Sequence, residues 1–286
     1  MDTLKENLID HTQLTPAKRA LLEMRLRGNT PQRTAAQTIE KRPEDSDSLL
    51  SFAQQRLWFL HQMAPQSAAY NMSAAFRLEG VLDPSALEEA FNGVVHRHEV
   101  LRTTYDETDG EPIPRINPVP REMLTILDLQ SLNKSAQDIR VKLLAKEEAE
   151  HPFDLKIVPL VRIRLLKLGE LDHVLLVTLH HIVCDGWSIG IFVREIAELY
   201  DALISNRSSL LPKLPIQYAD FAYWQRQQLQ GKALERQLEY WQQKLSNLPI
   251  LDFPTDYPRS ETPTYQGAFQ SFISTEAITS RLKVLS

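Results

Sequence analysis

Residues 174–188 read VLLVTLHHIVCDGWS, and this stretch decides how the rest of the sequence is interpreted. Its first part is nearly continuous Val, Leu and Thr, which predicts a buried β-strand. After the two histidines, apolar residues recur at helical spacing from Ile189 to Leu203. The histidine pair therefore lies where a strand leaves a sheet, a position from which a rigid scaffold can direct side chains into a cleft.

The histidine pair predicts a site for acid–base chemistry or for orienting a substrate, because neutral imidazole is the usual proton acceptor near pH 7. Successive strand side chains point to opposite faces, so one of His180 and His181 is expected to be reactive and the other structural. Asp185 can hold an imidazole, cap the next helix or pair with an arginine. Gly186 permits a tight turn or the close approach of a substrate.

Two other chemistries have weaker support at this position. A metal site with His180, His181 and Asp185 as ligands would require adjacent histidines to converge on one ion. Cys184 is close to His181 in sequence, but a buried, apolar cysteine is more common than a nucleophile. The chain also has no Gly-x-Ser-x-Gly elbow and no glycine-rich phosphate loop. The sequence therefore predicts neither a bound metal nor a nucleotide cofactor.

Composition narrows the class of protein. The 286 residues carry a net charge of −5, 43% of them are hydrophobic, and one is cysteine. The apolar content is sufficient for a hydrophobic core, and the negative net charge does not favour nucleic-acid binding. The sequence contains no apolar stretch of membrane-spanning length. A single cysteine fits a reducing compartment, and the first residues have no signal-peptide pattern. We therefore expect a cytoplasmic protein without nucleic-acid or membrane partners.

The chain is predicted to have four consecutive segments. Residues 1–28 contain a short helix over 14–28 that can serve as a docking element, and residues 29–48 have the composition of a linker. Residues 49–248 alternate between helical and strand patterns, as in an α/β (α+β) domain. Residues 249–286 are a Pro-rich crossover and a final helical pattern without a stop signal. The sequence is therefore expected to end inside a second, incomplete lobe.

Periodicity also predicts the individual elements. Helices are expected around Phe52–Leu60, from Asp83 to Val95, and over Ala136–Glu150, 188–204, 218–245 and 275–285; strands are expected at Met72–Leu78, 160–168, 173–180 and 267–274. The short polar turn at 169–172 favours an antiparallel hairpin of the two strands beside it. Arg162 and Arg164 alternate with apolar residues, so one face of their strand is predicted to be polar.

Four segments, in order, resemble the motifs of condensation domains of nonribosomal peptide synthetases. They are SFAQQRLWFL (51–60), RHEVLRTTY (97–105), HHIVCDGWS (180–188), which has the His-His-x-x-x-Asp-Gly pattern, and YADFAYW (218–224). In the second motif, Tyr105 occupies a position where phenylalanine is more usual. The resemblance covers about 49–286, and four motifs in this order are highly specific.

The resemblance implies an acyltransferase of the chloramphenicol-acetyltransferase-like superfamily, with a mixed sheet flanked by helices and a tunnel between two lobes. It implies that donor and acceptor carrier proteins present thioesters on phosphopantetheine arms. The acceptor α-amine then attacks the donor thioester to form a peptide bond, as in antibiotic and other secondary-metabolite biosynthesis. No cofactor bound by the chain itself is implied. A neighbouring adenylation domain and the missing C-terminal lobe are the other implied partners, so this fragment can be inactive alone.

The resemblance also assigns roles within the third motif. His181 is implied to be the functional histidine, which either removes a proton from the amine or orients it. His180 is implied to support it, and Gly186 to contribute backbone near the reacting centre.

Asp185 is implied to be mainly architectural. Its expected partner is an arginine of the second motif, Arg97 or Arg102, and Arg162 is a local competitor. Such an Arg–carboxylate pair would fix the loop that positions the histidine.

Two other functions are compatible with these motifs. A stand-alone acyltransferase of the same fold that uses acyl-CoA shares the His-x-x-x-Asp-Gly core, although the second and fourth motifs argue against it. A non-catalytic module that recruits carrier proteins is the other alternative, and the intact histidine pair argues against it.

Overall fold

The computed structural model describes residues 38–43, 46, 49–120, 122–252, 254–258, 270 and 272–285. Its helices are α1 (Phe52–Met63), α2 (Pro84–Arg97), α3 (Lys134–Glu150), α4 (Gly186–Ile204), α5 (Tyr218–Gln228), α6 (Gly231–Leu245) and α7 (Glu276–Leu285), and its strands are β1 (Asn71–Glu79), β2 (Thr103–Thr108), β3 (Glu111–Ile116), β4 (Leu124–Asp128), β5 (Val161–Lys167) and β6 (Asp172–His180). These elements belong to one compact unit, residues 41–286; the other unit is residues 1–40.

Two predictions for the N-terminal region are not tested by these elements. The predicted helix over 14–28 lies outside the described residues, as does most of the predicted linker over 29–48. The segment boundaries at 28, 48 and 248 therefore stay predictions.

β6 is an inner strand of a mixed sheet in the order β1-β6-β5-β4. β4 runs parallel to β5, whereas β5 and β1 are both antiparallel to β6. Every residue of β6 from His173 to His180 is buried, which is why its sequence is almost continuously apolar. The predicted hairpin of β5 and β6 is confirmed, with Val161 opposite Leu179.

Helices cover both faces of this sheet. Leu175 and Val177 of β6 belong to the larger core, which also contains the buried residues of α1, α2 and α4. Val174 and Leu176 point to the opposite side, where they form a smaller core with Leu144 of α3. The predicted mixed sheet flanked by helices is therefore confirmed.

The polar face of β5 binds a buried carboxylate of α3. Arg162 Nε lies 2.5 Å from Glu148 Oε1, and Arg164 Nη2 lies 3.2 Å from Glu148 Oε2. Glu148 is only 4% exposed, and two guanidinium groups compensate its charge. The predicted polar face is confirmed, and the ion pair of Arg162 with Glu148 joins α3 to the sheet.

α2 and α4 pack closely beside the histidine pair. α2 begins as predicted, because Asp83 Oδ1 accepts a hydrogen bond from Ser85 N at 2.9 Å and Pro84 is the first helical residue. Gly93 allows the close packing, since a Cβ atom there would lie 3.0 Å from Leu199 Cδ1. This contact fixes α4, the helix that follows the histidines.

Three strands were not predicted from the sequence: the short β4 and the two strands of a separate sheet, β2 and β3. Pro112 and Pro114 obscure the strand pattern of β3, because proline is uncommon in strands. Asp109 and Gly110 close the β2–β3 hairpin with φ angles of 53° and 80°. The sheet is joined to the rest of the domain through Tyr105, whose backbone N–H donates to the carbonyl of Leu155 at 2.8 Å.

The prediction of one long helix over 218–245 is wrong. α5 ends at Gln228, because its C-cap residue Leu229 has non-helical φ and ψ angles of −100° and 62°, and α6 begins at Gly231, where φ is 51°. Periodicity alone does not reveal this break, because apolar residues continue on both sides of it.

The C-terminal predictions have mixed outcomes. Helix α7 is confirmed, but Gln270 and residues 272–274, the described part of the predicted strand over 267–274, are not in a strand. No helix within the described ranges has both the length and the apolar character needed to cross a membrane.

Candidate active site at the end of strand β6

The turn after β6 is held by backbone hydrogen bonds on both sides. His180 N donates to Leu160 O at 3.1 Å, and His181 N donates to Tyr70 O at 2.9 Å. Val183 N then donates back to His180 O at 3.0 Å, which closes the turn before α4 begins. The sheet therefore fixes the backbone of both histidines, even though His181 lies just beyond the strand.

The ring of His180 is in the protein interior. It is 3% exposed, Phe153 packs edge-on against it, and its Nδ1 accepts a hydrogen bond from Ile182 N at 3.1 Å. Burial and, to a smaller extent, the neighbouring His61, His181 and Arg162 lower the pKa of His180 to about 3. His180 is therefore uncharged at neutral pH.

The ring of His181 is exposed and held in one orientation. Its Nδ1 lies 2.7 Å from the carbonyl oxygen of Cys184. Because a carbonyl only accepts hydrogen bonds, Nδ1 carries the proton, and the Nε2 atom of the neutral ring has a free lone pair. The two histidines are thus separated as the sequence predicted, one inside the protein and one at its surface.

His181 lines a cavity of about 530 Å³. Most of the wall is apolar and comes from the segment before α5, from α4 and from the segment after α2: Leu214, Ile216, Ile189, Phe192 and Leu101. The polar side chains in the wall include Arg56, His98, Gln217 and Asp185. The cavity therefore brings together residues from all four sequence motifs or from positions next to them.

Asp185 caps helix α4. Its Oδ1 accepts hydrogen bonds from Ser188 N at 2.8 Å and from Ser188 Oγ at 2.5 Å. These bonds hold the pKa of Asp185 below its usual value, so the carboxylate is charged at neutral pH. Of the three roles considered for Asp185, the structure shows helix capping.

The predicted pair of Asp185 with an arginine is wrong for the part of the chain that the structure describes. Arg97 Nε instead lies 3.2 Å from Glu195 Oε2, nearly three turns further along α4. Arg102 Nη1 donates to Asn117 O at 2.6 Å. Arg97 therefore fixes the helix that follows the histidine loop, while the loop itself is fixed by the cap.

Cys184 and Gly186 flank this cap. Burial raises the pKa of the Cys184 thiol to about 12, and its sulfur lies 3.5 Å from Met72 Sδ, so it is a buried thiol rather than a nucleophile. A Cβ atom at Gly186 would have no neighbour within 4 Å, so no described part of the protein crowds this position.

Gln54 joins the first three motifs. Its Nε2 donates to Tyr105 Oη at 2.9 Å and to the carbonyl of Ile182 at 3.3 Å. Its Oε1 accepts from Ser51 N at 3.1 Å, and Ser51 Oγ lies 3.0 Å from Tyr218 Oη of the fourth motif. The residue after His181 is thus connected through one buried amide to the other three motifs.

Sequence reasoning missed both Gln54 and Glu195. Each is a polar residue at a core-facing position of an amphipathic helix: Gln54 precedes Leu57 by one turn, and Glu195 stands between Phe192 and Ile196. A polar side chain at such a position needs a buried partner. That spacing is the signal by which both could have been found.

A family model and a curated protein both match most of this chain. A family model described as "Condensation domain" matches residues 45–286. One of the proteins that make up the linear gramicidin synthase of Brevibacillus parabrevis is 44% identical over 245 residues, which are 85% of this chain and 3% of that protein. The chain therefore spans only a small part of this curated relative.

Two solved structures have folds similar to that of this chain. The X-domain of teicoplanin biosynthesis, in a complex with OxyB, matches with a TM-score of 0.68 and 30% identity, over 79% of this chain and 49% of that chain. The starter condensation domain of the rhizomide synthetase RzmA matches with a TM-score of 0.63 over 71% of this chain and 49% of that chain. Its 22% identity shows likeness of fold alone. The chain spans about half the length of both structures.

Proposed function

Because this chain belongs to the condensation-domain family of nonribosomal peptide synthetases, we propose that it forms one wall of a site that joins two carrier-bound substrates by a peptide bond. The acceptor amine attacks the donor thioester, and each substrate is held on the phosphopantetheine arm of a carrier-protein domain. Family membership shows an amide-forming acyltransferase in general terms. The carrier-bound substrates, the phosphopantetheine arms and the partner domains are the more specific part that we propose.

The geometry of His181 is the observation that carries this proposal. Cys184 O holds Nδ1 at 2.7 Å, so the free lone pair is on Nε2. The ring lines the 530 Å³ cavity, which is large enough for the reacting ends of two aminoacyl thioesters. A hydrogen-bond acceptor with a fixed direction is what an attacking amine requires.

The proposed step needs no metal or further co-reactant. The amine nitrogen attacks the thioester carbonyl carbon, a C–N bond forms, and Nε2 of His181 accepts one amine proton. The C–S bond then breaks, and the departing sulfur takes that proton to leave as a thiol. Because a thioester is already activated, alignment and proton transfer can provide much of the acceleration.

The neighbouring residues support this step without taking part in it. The uncharged ring of His180 accepts the Ile182 N–H, which fixes the turn on the other side of His181. Asp185 fixes the start of α4 through Ser188. Gly186 is proposed to leave space for backbone or substrate near the reacting centre, since no described atom crowds it.

The partners follow from the same proposal. Donor and acceptor carrier proteins present the substrates, an adenylation domain loads the acceptor carrier, and a C-terminal lobe supplies the opposite wall of the cavity. The last point is supported by the solved relatives, of which this chain spans about half.

The test is the amide product formed by the full-length synthetase with loaded donor and acceptor carriers. His181→Ala should reduce the single-turnover rate by at least about 100-fold, the usual contribution of general acid–base catalysis. The unfolding midpoint should change little, because the ring is exposed and only its Nδ1 hydrogen bond is lost.

His96→Ala is the matched control. His96 is an exposed histidine near the end of α2, and the cavity wall does not include it among the described residues. This variant should retain the wild-type rate. An unchanged product rate for His181→Ala would contradict the assigned role of His181.

A further inference from the structure

A second imidazole lines the cavity of His181. His98 follows the last residue of α2, and its ring is one of the polar groups in the cavity wall. Its Nε2 lies 2.6 Å from Oε2 of Glu195. The arrangement resembles that of His181, because one nitrogen of each ring is hydrogen-bonded to a described residue and the other nitrogen can bind a ligand.

The carboxylate that holds His98 is buried and already paired. Glu195 is 8% exposed, and the same Oε2 atom lies 3.2 Å from Arg97 Nε. Because a carboxylate oxygen only accepts hydrogen bonds, Nε2 of His98 carries the proton of this bond, and Arg97 balances the charge of Glu195. In this tautomer the lone pair of the ring is on Nδ1.

The backbone on both sides of His98 is also held. Gln217 Nε2 donates to Arg97 O at 3.0 Å, and Gln217 Oε1 accepts from Glu99 N at 3.2 Å. One amide side chain thus bridges the residues immediately before and after the histidine. The position of the ring is therefore fixed through its backbone and through Nε2.

Among the described residues, Nδ1 of His98 has no hydrogen-bond partner, although the ring lies in the cavity wall. The remaining wall is mainly apolar, so few groups there can bind the polar part of a substrate. A fixed acceptor in an apolar wall is a common arrangement for orienting a ligand.

We propose that His98 is a substrate-positioning residue whose Nδ1 binds an N–H group of the acceptor aminoacyl substrate in the cavity of His181. This inference rests on the proposed function, since it assumes that an amine-bearing substrate enters this cavity. It assigns two imidazoles to the acceptor: His181 contacts the reacting amine, and His98 holds the acceptor in the orientation that the reaction needs.

Two amide variants distinguish the roles of the two nitrogen atoms of the His98 ring. In His98→Gln, the side-chain amide can replace Nε2 as the donor to Glu195, but no acceptor remains at the position of Nδ1. In His98→Asn, the amide oxygen can replace Nδ1, but the bond to Glu195 is lost. A purely structural role would be rescued by glutamine, and a positioning role by asparagine.

Binding is measured by calorimetry with the full-length synthetase and aminoacyl-aminopantetheine probes, in which an amide replaces the thioester. Probes made with each proteinogenic amino acid identify the tightest ligand of the wild-type protein. We expect His98→Gln to raise the Kd of that probe about tenfold, the effect of one lost hydrogen bond in an apolar site. His98→Asn should raise it less, and the exposed control His96→Gln should leave it unchanged.

An unchanged Kd in His98→Gln, or an equal rise in both variants, would overturn the role of His98. This outcome is separate from the proposed function, which is tested by amide product. If the wild-type synthetase forms product while the His98 variants bind the probe normally, only the inference about His98 fails. If it forms no product, the proposed function fails whatever the Kd values are.

Discussion

Gln54 donates a hydrogen bond to the hydroxyl of Tyr105 at 2.9 Å, although the two residues are 51 positions apart in the sequence. The second hydrogen of the same amide nitrogen is directed to the carbonyl of Ile182, beside His181. Tyr105 is 1% exposed, and burial raises the pKa of its hydroxyl, so the group is uncharged. The phenol therefore helps to hold the amide that supports the histidine turn.

Tyr105→Phe should destabilise the protein. The change removes the acceptor and leaves one hydrogen of a buried amide without a partner, which costs about 1–2 kcal/mol of unfolding free energy. Equilibrium unfolding in urea measures this difference. Tyr240→Phe, at a position that is 51% exposed, is the control and should change the free energy by less than about 0.5 kcal/mol. Equal stability of the wild type and Tyr105→Phe would show that the hydroxyl contributes nothing.

Arg97 should couple energetically to Glu195 and not to Asp185. A double-mutant cycle with Arg97→Met and Glu195→Gln should give an interaction energy of about 1–3 kcal/mol, because the pair is largely buried. The parallel cycle with Asp185→Ala should give less than about 0.5 kcal/mol, since Asp185 acts through Ser188. Unfolding free energies of all variants provide the measurement. Strong coupling in the second cycle would indicate that Arg97 and Asp185 form a pair in solution.

Stability should fall as the pH is lowered from about 6.5 because of His180. The folded state holds the pKa of His180 at about 3, below its ordinary value of 6.5. Between these values the unfolded chain binds more protons than the folded chain. The stabilising contribution is therefore complete above the ordinary pKa and is lost toward acid, at up to about 1.4 kcal/mol per pH unit.

His180→Asn tests this dependence, because the amide oxygen can still accept the Ile182 N–H but does not titrate. Between pH 6 and pH 4 the unfolding free energy of this variant should fall less steeply than that of the wild type. The difference between the two slopes should be about 1.4 kcal/mol per pH unit. The exposed His96→Asn should keep the wild-type slope. Identical slopes for the wild type and His180→Asn would mean that His180 titrates normally in the folded protein.

Much of the fold could be predicted because its strongest signals are local. The burial of β6, the hairpin with β5 and the start of α2 at Asp83 each follow from a few adjacent residues. The mixed sheet flanked by helices, and with it the chloramphenicol-acetyltransferase-like fold expected from the motifs, is confirmed. The β2–β3 sheet was missed because two prolines hide its pattern, and the break at Gly231 because apolar spacing continues across it.

The candidate site was less predictable, since its contacts join residues that are far apart in sequence. The sequence indicated that His180 and His181 would face different environments, which depends only on strand geometry. The expected partner of Asp185 was Arg97 or Arg102, whereas Arg97 meets Glu195 in the middle of α4. This pairing depends on how α2 and α4 pack, and no local pattern encodes it.

The bridge formed by Gln217 has a consequence for building chimaeric synthetases from related domains. Its two partners are backbone groups, Arg97 O and Glu99 N, so a recombination junction between residues 103 and 217 leaves them available whatever side chains the donor sequence provides. The contact of Gln54 with Tyr105 is different, because it requires a phenol at one particular position. A junction placed between these two residues exchanges one member without the other, and a donor with phenylalanine at position 105 would leave the amide without its partner.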